Sequence, residues 1–159
     1  MNRLSSEQSV FTTRLDRVND YQFKVSFDIP GIPELMTDES EPLGRNAGPS
    51  PSRLLSAAVG NCLSSSLIFC LSKGRIPLSE LKTSVETVTR RNENGRWRIA
   101  ALNVKPSPII REEDVSRSKR RLELFEDFCV VTESVRKGIE ANVDVEIDSS
   151  GGMNAPESS

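Results

Sequence analysis

Residues Leu54 to Ser72 contain no Asp, Glu, Lys or Arg, an uncharged run about as long as a membrane-spanning helix. Ser56, Gly60, Asn61, Ser64, Ser65, Ser66 and Ser72 interrupt it. The run therefore reads as a buried central helix whose small residues let a neighbouring backbone or helix come close. Its ends carry their own signals. Ser50 suits an N-cap, and Pro51 suits the first helical position, where its missing N–H costs nothing. Lys73 favours the carbonyl end, Gly74 stops the helix and Pro77 prevents its resumption. The expected helix is Pro51 to Lys73. It is apolar nearly all round, and a small domain with one short hairpin has little to cover it with. The chain is therefore expected to be an obligate homodimer.

The remaining composition is that of a soluble globular chain. Its 159 residues suit one domain with one core. That domain is expected over residues 1–148, followed by a Gly-, Ser-, Pro- and Glu-bearing tail over 149–159 that is expected to be disordered. A net charge of −2 and a pI near 5.4 argue against nucleic acid or an anionic membrane as partner. The basic run from Arg117 to Arg121 is flanked by Glu112, Glu113, Asp114, Glu123 and Glu126, and reads as a solvated helix face. No apolar signal-peptide core follows the N-terminus, and three cysteines, an odd number, fit a reducing compartment. Cytoplasm is the expected location.

The order of elements predicts an α+β fold without repeating βαβ units. Val10 to Arg17 is a weak strand candidate. Tyr21, Phe23, Val25 and Phe27 alternate with polar residues as a strand requires, with Asn19 and Asp20 as the turn before them. A polar loop runs from about Asp38 to Ser50. After the long helix, Leu81 to Arg91 and Arg96 to Lys105 form a hairpin around Asn92-Glu93-Asn94-Gly95. Ile110 to Phe128 is expected to be an amphipathic helix with Val115, Ser118, Leu122 and Phe125 on one stripe. A short helix is expected from Cys129 to Gly138. Val143, Val145 and Ile147 alternate in a last expected strand, Ala141 to Asp148.

The chain has no histidine, which excludes Cys–His and Ser–His–Asp units and any zinc site needing imidazole. A redox thiol pair needs neither. Cys70, between Phe69 and Leu71, reads as a small buried hydrophobe. Cys62 lies among Asn61, Ser64, Ser65 and Ser66. It cannot pair with Cys70 along one straight helix, because eight residues at about 1.5 Å each hold them roughly 12 Å apart. Cys129 opens a helix, where unpaired N–H groups favour thiolate. Two readings stay open from the residues alone: a Cys62–Cys129 redox pair, or two further packed thiols.

The block from Gly48-Pro49-Ser50-Pro51 through Leu54-Leu55-Ser56-Ala57-Ala58 to Asn61-Cys62-Leu63, and the block Phe128-Cys129-Val130-Val131-Thr132-Glu133-Ser134, together resemble the OsmC/Ohr family of thiol peroxidases. The resemblance extends from about Phe11 to Ile147. It implies an intertwined homodimer of strongly bent antiparallel sheets around two central helices, with active sites at the subunit interface. The implied activity is reduction of organic hydroperoxides without a cofactor. The Cys62 thiolate would become a sulfenic acid, Cys129 would condense with it to a disulfide, and an external dithiol, often of lipoyl type, would restore the pair. The family's best-characterised peroxidases carry a glutamate at the position of Ser52, acting with an arginine. Here Ser52 is followed by Arg53, and Val130 stands where proline is common. Arg17 corresponds roughly to the family's arginine, with Arg14 and Arg45 as alternatives and Glu39 as a substitute carboxylate. The alternative function is a non-catalytic module binding an apolar ligand at the dimer interface.

Overall fold

The computed structural model describes residues 9–147; the expected tail, and Asp148 of the expected last strand, lie outside them. Strand β1 (Thr13–Asn19) turns at Asp20 into β2 (Gln22–Phe27), and β3 (Leu35–Thr37) pairs with the far side of β2, giving an antiparallel sheet in the order β1-β2-β3. The first strand thus starts and ends later than its sequence suggests. The loop after β3 is organised by Asp38, which is buried. Its carboxylate accepts backbone N–H bonds from Glu39 (2.8 Å), Arg45 (2.9 Å) and Ala47 (3.0 Å). The Ala47 and Arg45 amides hold this carboxyl below its ordinary value against the opposing effect of burial.

Helix α1 spans Pro51–Lys73, the bounds its end signals predict. Ser50 holds the extended N-cap conformation without a side-chain cap bond, the Gly74 N–H closes on the Cys70 carbonyl, and the Arg75 N–H closes on that of Ser72. The small residues do bring a neighbour close, and that neighbour is a strand. In the hairpin of β4 (Leu78–Arg91) and β5 (Trp97–Ile110), Thr87, Val85 and Thr83 of β4 lie against α1. Ser56 Oγ meets Thr87 Oγ1 at 2.5 Å and Ser64 Oγ meets Thr83 Oγ1 at 2.6 Å. Between them Gly60 faces Val85, where an added Cβ would stand 2.7 Å from Val85 Cγ2. A polar–glycine–polar ladder at four-residue spacing thus lays the helix directly on the strand.

Both hairpin strands outrun their expected bounds. Pro106 and Pro108 lie opposite Thr83 and Leu81, inside β5. Proline cannot donate to a ladder, so these residues belong on the outer edge, and their presence does not end the strand. Ile110 therefore closes a strand, where it was expected to open a helix. Helix α2 (Glu112–Leu124) then gives way to a 3-10 turn, Phe125–Phe128, in place of one continuous helix. Its buried residues are Asp114 and Ser118, while Val115 is exposed. Ser118 and Phe125 of the expected stripe do face inward, but Val115 and Leu122 do not; Asp114 takes the inward place in the first turn, held by Arg111 and Arg117. Helix α3 (Val130–Lys137) ends at Gly138 with φ +74°. From Gly138 to Ile147 the chain forms no strand, and Val143, Val145 and Ile147 are exposed. Their alternation is present, but no strand edge of the same chain receives it.

Two apolar clusters frame α1. Val59, Leu63 and Cys129 form one with Leu102, Val104, Phe125 and Val135; Leu67, Leu71 and Ile76 form the other with Leu78, Leu81 and Ile110. The opposite side of the helix, including Ala57, Ala58, Asn61, Ser65, Ile68 and Phe69, is uncovered in the single chain.

Candidate functional site

Cys129 leaves the 3-10 turn in an extended conformation and becomes the N-cap of α3. A cap must present an acceptor to the helix's first unpaired amides, and here the acceptor is sulfur. Sγ receives the Thr132 N–H at 3.4 Å and lies 2.9 Å from Thr132 Oγ1. Cys62, from the middle of α1, packs against the same cluster as Cys129, near enough for each thiol to shift the other's ionisation. Both sulfurs are free thiols. Their exposure differs. Cys129 is 1% exposed, whereas Cys62 opens onto a cavity of about 400 Å³ lined by Ser65, Ser66, Phe69 and Phe128. The rings of Phe69 and Phe128 meet at 5.7 Å over this opening.

The pair shares its charge unequally. Burial, then the neighbouring Cys129 thiol, pushes the Cys62 thiol above its ordinary value, although the Val131 and Thr132 amides pull it down. At Cys129 burial also opposes ionisation. There it is outweighed by the Cys62 thiol, the Thr132 hydroxyl and N–H, and the Val131 N–H, so this thiol lies below its ordinary value. The first negative charge in the pair therefore rests on the inner sulfur, and the outer sulfur holds the proton. Cys70 is buried, and burial raises its thiol against a weaker opposing effect of Arg121.

The other candidate residues are not gathered here within one chain. Arg17 Nε donates to the Asp20 carbonyl at 2.9 Å in the β1–β2 turn, and the side chain is exposed. Arg14, opposite Ser26 on the same strand, is exposed too. Arg45 pairs with Asp20 at 3.2 Å. Glu39 lines a cavity of about 180 Å³ with Leu15, Phe23 and Pro51, at the start of α1. Ser52 is exposed, and its carbonyl accepts the Ser56 hydroxyl. Arg53 precedes Cys62 by about two and a half helical turns and so faces the opposite side of α1, beside Val85 and Thr87. Among the described residues no hydrogen bond or ion pair links any of these side chains to Cys62 or Cys129.

Thr132 is the functional neighbour that sequence reasoning passes over. Its signal is the spacing of a cap and the third helical residue, with sulfur as the capping atom. Thr132→Val removes the hydroxyl but keeps the amide. In a Cys70→Ser background, the first thiol ionisation, followed by ultraviolet thiolate absorbance, is expected to move to higher pH. An unchanged or lower midpoint would contradict the assignment of the first charge to Cys129.

A second cavity, of about 520 Å³, lies on another side of the thiol cluster. Leu55, Val59 and Leu63 of α1, Leu102 and Val104 of β5, and Val135 of α3 form its apolar walls. Thr132 also lines it, and Glu126 and Arg136 are ion-paired at its rim.

A family model described as OsmC-like protein matches residues 44–144. No curated protein sequence matches the chain. Among solved structures, the chain is similar to an OsmC-like protein of unknown function from Vibrio cholerae. The TM-score is 0.69 at 14% identity, over 80% of this chain and 94% of that one. It is also similar to an organic hydroperoxide resistance protein from Elizabethkingia anophelis, with TM-score 0.60 and 20% identity over 84% and 94% of the two chains. Similarity to the organic hydroperoxide resistance protein OhrB of Bacillus subtilis has TM-score 0.56 and 16% identity over 80% and 93%. At these identities the likeness is one of α+β fold.

Proposed function

The chain belongs to the OsmC-like proteins, and on that premise we propose that it is a thiol-dependent peroxidase for organic hydroperoxides. The observation that carries this reading is the packing of an accessible thiol, Cys62, into the cluster that holds an inner thiol, Cys129, at a helix N-terminus. Ionised Cys62 attacks the outer oxygen of ROOH. The O–O bond breaks, ROH leaves with one proton, and Cys62 becomes a sulfenic acid. Cys129 thiolate then displaces hydroxide from that sulfur, so water leaves and the disulfide forms. An external dithiol, of lipoyl type in this proposal, returns two electrons and two protons. Hydroperoxide resistance in the names of two fold neighbours accords with this substrate class.

Attack requires the charge on the outer sulfur, whereas the isolated chain favours the inner one. The proton need only pass between two sulfurs of one packed cluster, and a guanidinium beside Cys62 would reverse the preference. Arg17 is the proposed source, supplied by a second copy, because its own sheet holds it at the Asp20 turn. The uncovered side of α1 and the unpaired apolar alternation of Val143, Val145 and Ile147 support such a dimer. Sedimentation at micromolar concentration is expected to give twice the mass of the chain; a monomer there would remove this source of charge.

The apolar cavity of about 520 Å³ favours a second reading, a module that binds an apolar ligand without redox chemistry. One equivalent of cumene hydroperoxide separates the two. The peroxidase forms an intramolecular Cys62–Cys129 disulfide, seen by peptide mapping; a binding module keeps both thiols reduced.

A further inference from the structure

The tip of the β4–β5 hairpin concentrates charge that the rest of the fold leaves unanswered. Between Arg90 and Arg98 stand four arginines and one glutamate, +3 on nine residues of a chain whose net charge is −2, so the remainder carries −5. All four guanidinium groups are exposed. Among the described residues none of them pairs with a carboxylate; the ion pairs of the chain lie elsewhere. The register sharpens the point, because Arg90 lies directly opposite Arg98. Like charges facing each other across an antiparallel pair destabilise it.

The same tip is well built. The Asn92 side chain accepts the Asn94 and Arg96 amides at 3.1 and 3.0 Å, and Gly95 takes the positive φ the turn needs. Arg91 sits 4.6 Å over the Trp97 ring and donates to the Gly95 carbonyl at 2.5 Å. Arg98 donates to the Trp97 carbonyl at 2.7 Å. Trp97 is 59% exposed, with one face covered by Arg91. Rigid arginine and tryptophan on an exposed turn is the composition of interface anchors.

We propose that this hairpin tip is a docking surface for an acidic segment of a partner protein, whose carboxylates bridge Arg90 and Arg98 while Trp97 supplies the apolar contact. A carboxylate between the two guanidinium groups would turn their repulsion into two charge-assisted contacts. An extended nucleic acid fits less well. The basic patch is confined to one turn, and the rest of the chain is negative.

Trp97 is the sole tryptophan of the chain, so its emission reports the site directly. The full-length reduced protein is titrated with a hexaglutamate peptide at low salt, and separately with a single-stranded oligonucleotide of matched charge. Saturable change with the peptide, weakened as salt rises, is the expected result. Arg98→Glu is expected to weaken peptide binding at least about tenfold, the equivalent of one charge-assisted contact. The same substitution places opposite charges across the hairpin, so it should leave thermal stability unchanged or raised. That separates lost docking from lost folding. No change of emission at any peptide concentration, or tighter binding of the oligonucleotide, overturns the proposal. So does an emission already shielded from a neutral quencher, since a second copy would then cover the tip. None of these outcomes depends on peroxidase activity.

Discussion

Cys62→Ser is expected to reduce hydroperoxide consumption to the uncatalysed background, whereas Cys129→Ser should retain one oxidation per chain and then stop. The difference follows from the unequal pair. Cys62 alone opens to a cavity, so it alone meets the peroxide. Without it, the 1% exposed Cys129 has no access to the peroxide. Without Cys129, Cys62 loses the neighbour that pushes its ionisation to higher pH, and keeps the Val131 and Thr132 amides that pull it to lower pH. Its thiol should therefore ionise at lower pH than in the wild type, and the first oxidation should not slow near neutrality. The product would stay a sulfenic acid, trappable by a carbon nucleophile and open to over-oxidation. Cys70→Ser should change stability at most, since Cys70 is packed in the body of the fold and touches neither sulfur's partners. The measurements are peroxide consumption with an excess of a small dithiol, and the mass of Cys62 after one equivalent of oxidant. Equal loss of activity in all three variants would falsify the division of roles and point to packing.

How far the sequence carries depends on whether a signal is local. Helix α1 is legible to the residue because a cap, a proline, a glycine stop and an uncharged body coincide. The nearness of Cys62 to Cys129 is not local. Spacing excludes Cys70 as partner of Cys62 and leaves the rest to the resemblance. What periodicity hides is instructive. Apolar spacing suggests that α2 buries Val115 along with Ser118; Ser118 is buried, but a single buried carboxylate outweighs Val115 and turns Asp114 inward. Pro106 and Pro108 read as the end of a strand, yet an edge strand tolerates them on its outer side. The alternation of Val143, Val145 and Ile147 is a strand pattern without a strand, because a ladder needs a second edge that periodicity cannot supply. Thr132 escapes notice because a cysteine is an uncommon cap, although the helix start at Cys129 is itself visible. The arginine question stays outside local signals altogether. Arg17 lies on a sheet that one chain does not bring to the thiols.

Asp114→Asn should be the most damaging of the isosteric changes outside the thiol site. Asp114 begins α2 and is 1% exposed. One carboxylate oxygen accepts Arg111 Nε at 3.0 Å and Nη2 at 2.9 Å, and the other accepts Arg117 Nη1 at 2.8 Å. Arg117 Nη2 in turn donates to the Gly74 carbonyl at 2.9 Å. A single carboxylate thereby joins the start of α2 to the end of α1, which presents Cys62 about three turns upstream. The amide of asparagine would turn donors toward donors. Breaking a fully buried ion pair at one partner costs about 3–5 kcal/mol. Here both arginines are more than half exposed and can regain water, so about 2–3 kcal/mol is the expected loss. For a chain of this size that is a fall of about 5–10 °C in Tm. Glu113→Gln is the matched control. Glu113 meets the same Arg111 at 2.7 Å, but on the exposed side, where such pairs contribute less than about 1 kcal/mol. Thermal unfolding of the two variants beside the wild type checks this directly. If Asp114→Asn unfolds within a degree or two of Glu113→Gln, burial of this carboxylate does not hold the two helices together. If it unfolds far below it while the Cys62–Cys129 disulfide still forms at low temperature, the junction stabilises the scaffold without entering the chemistry.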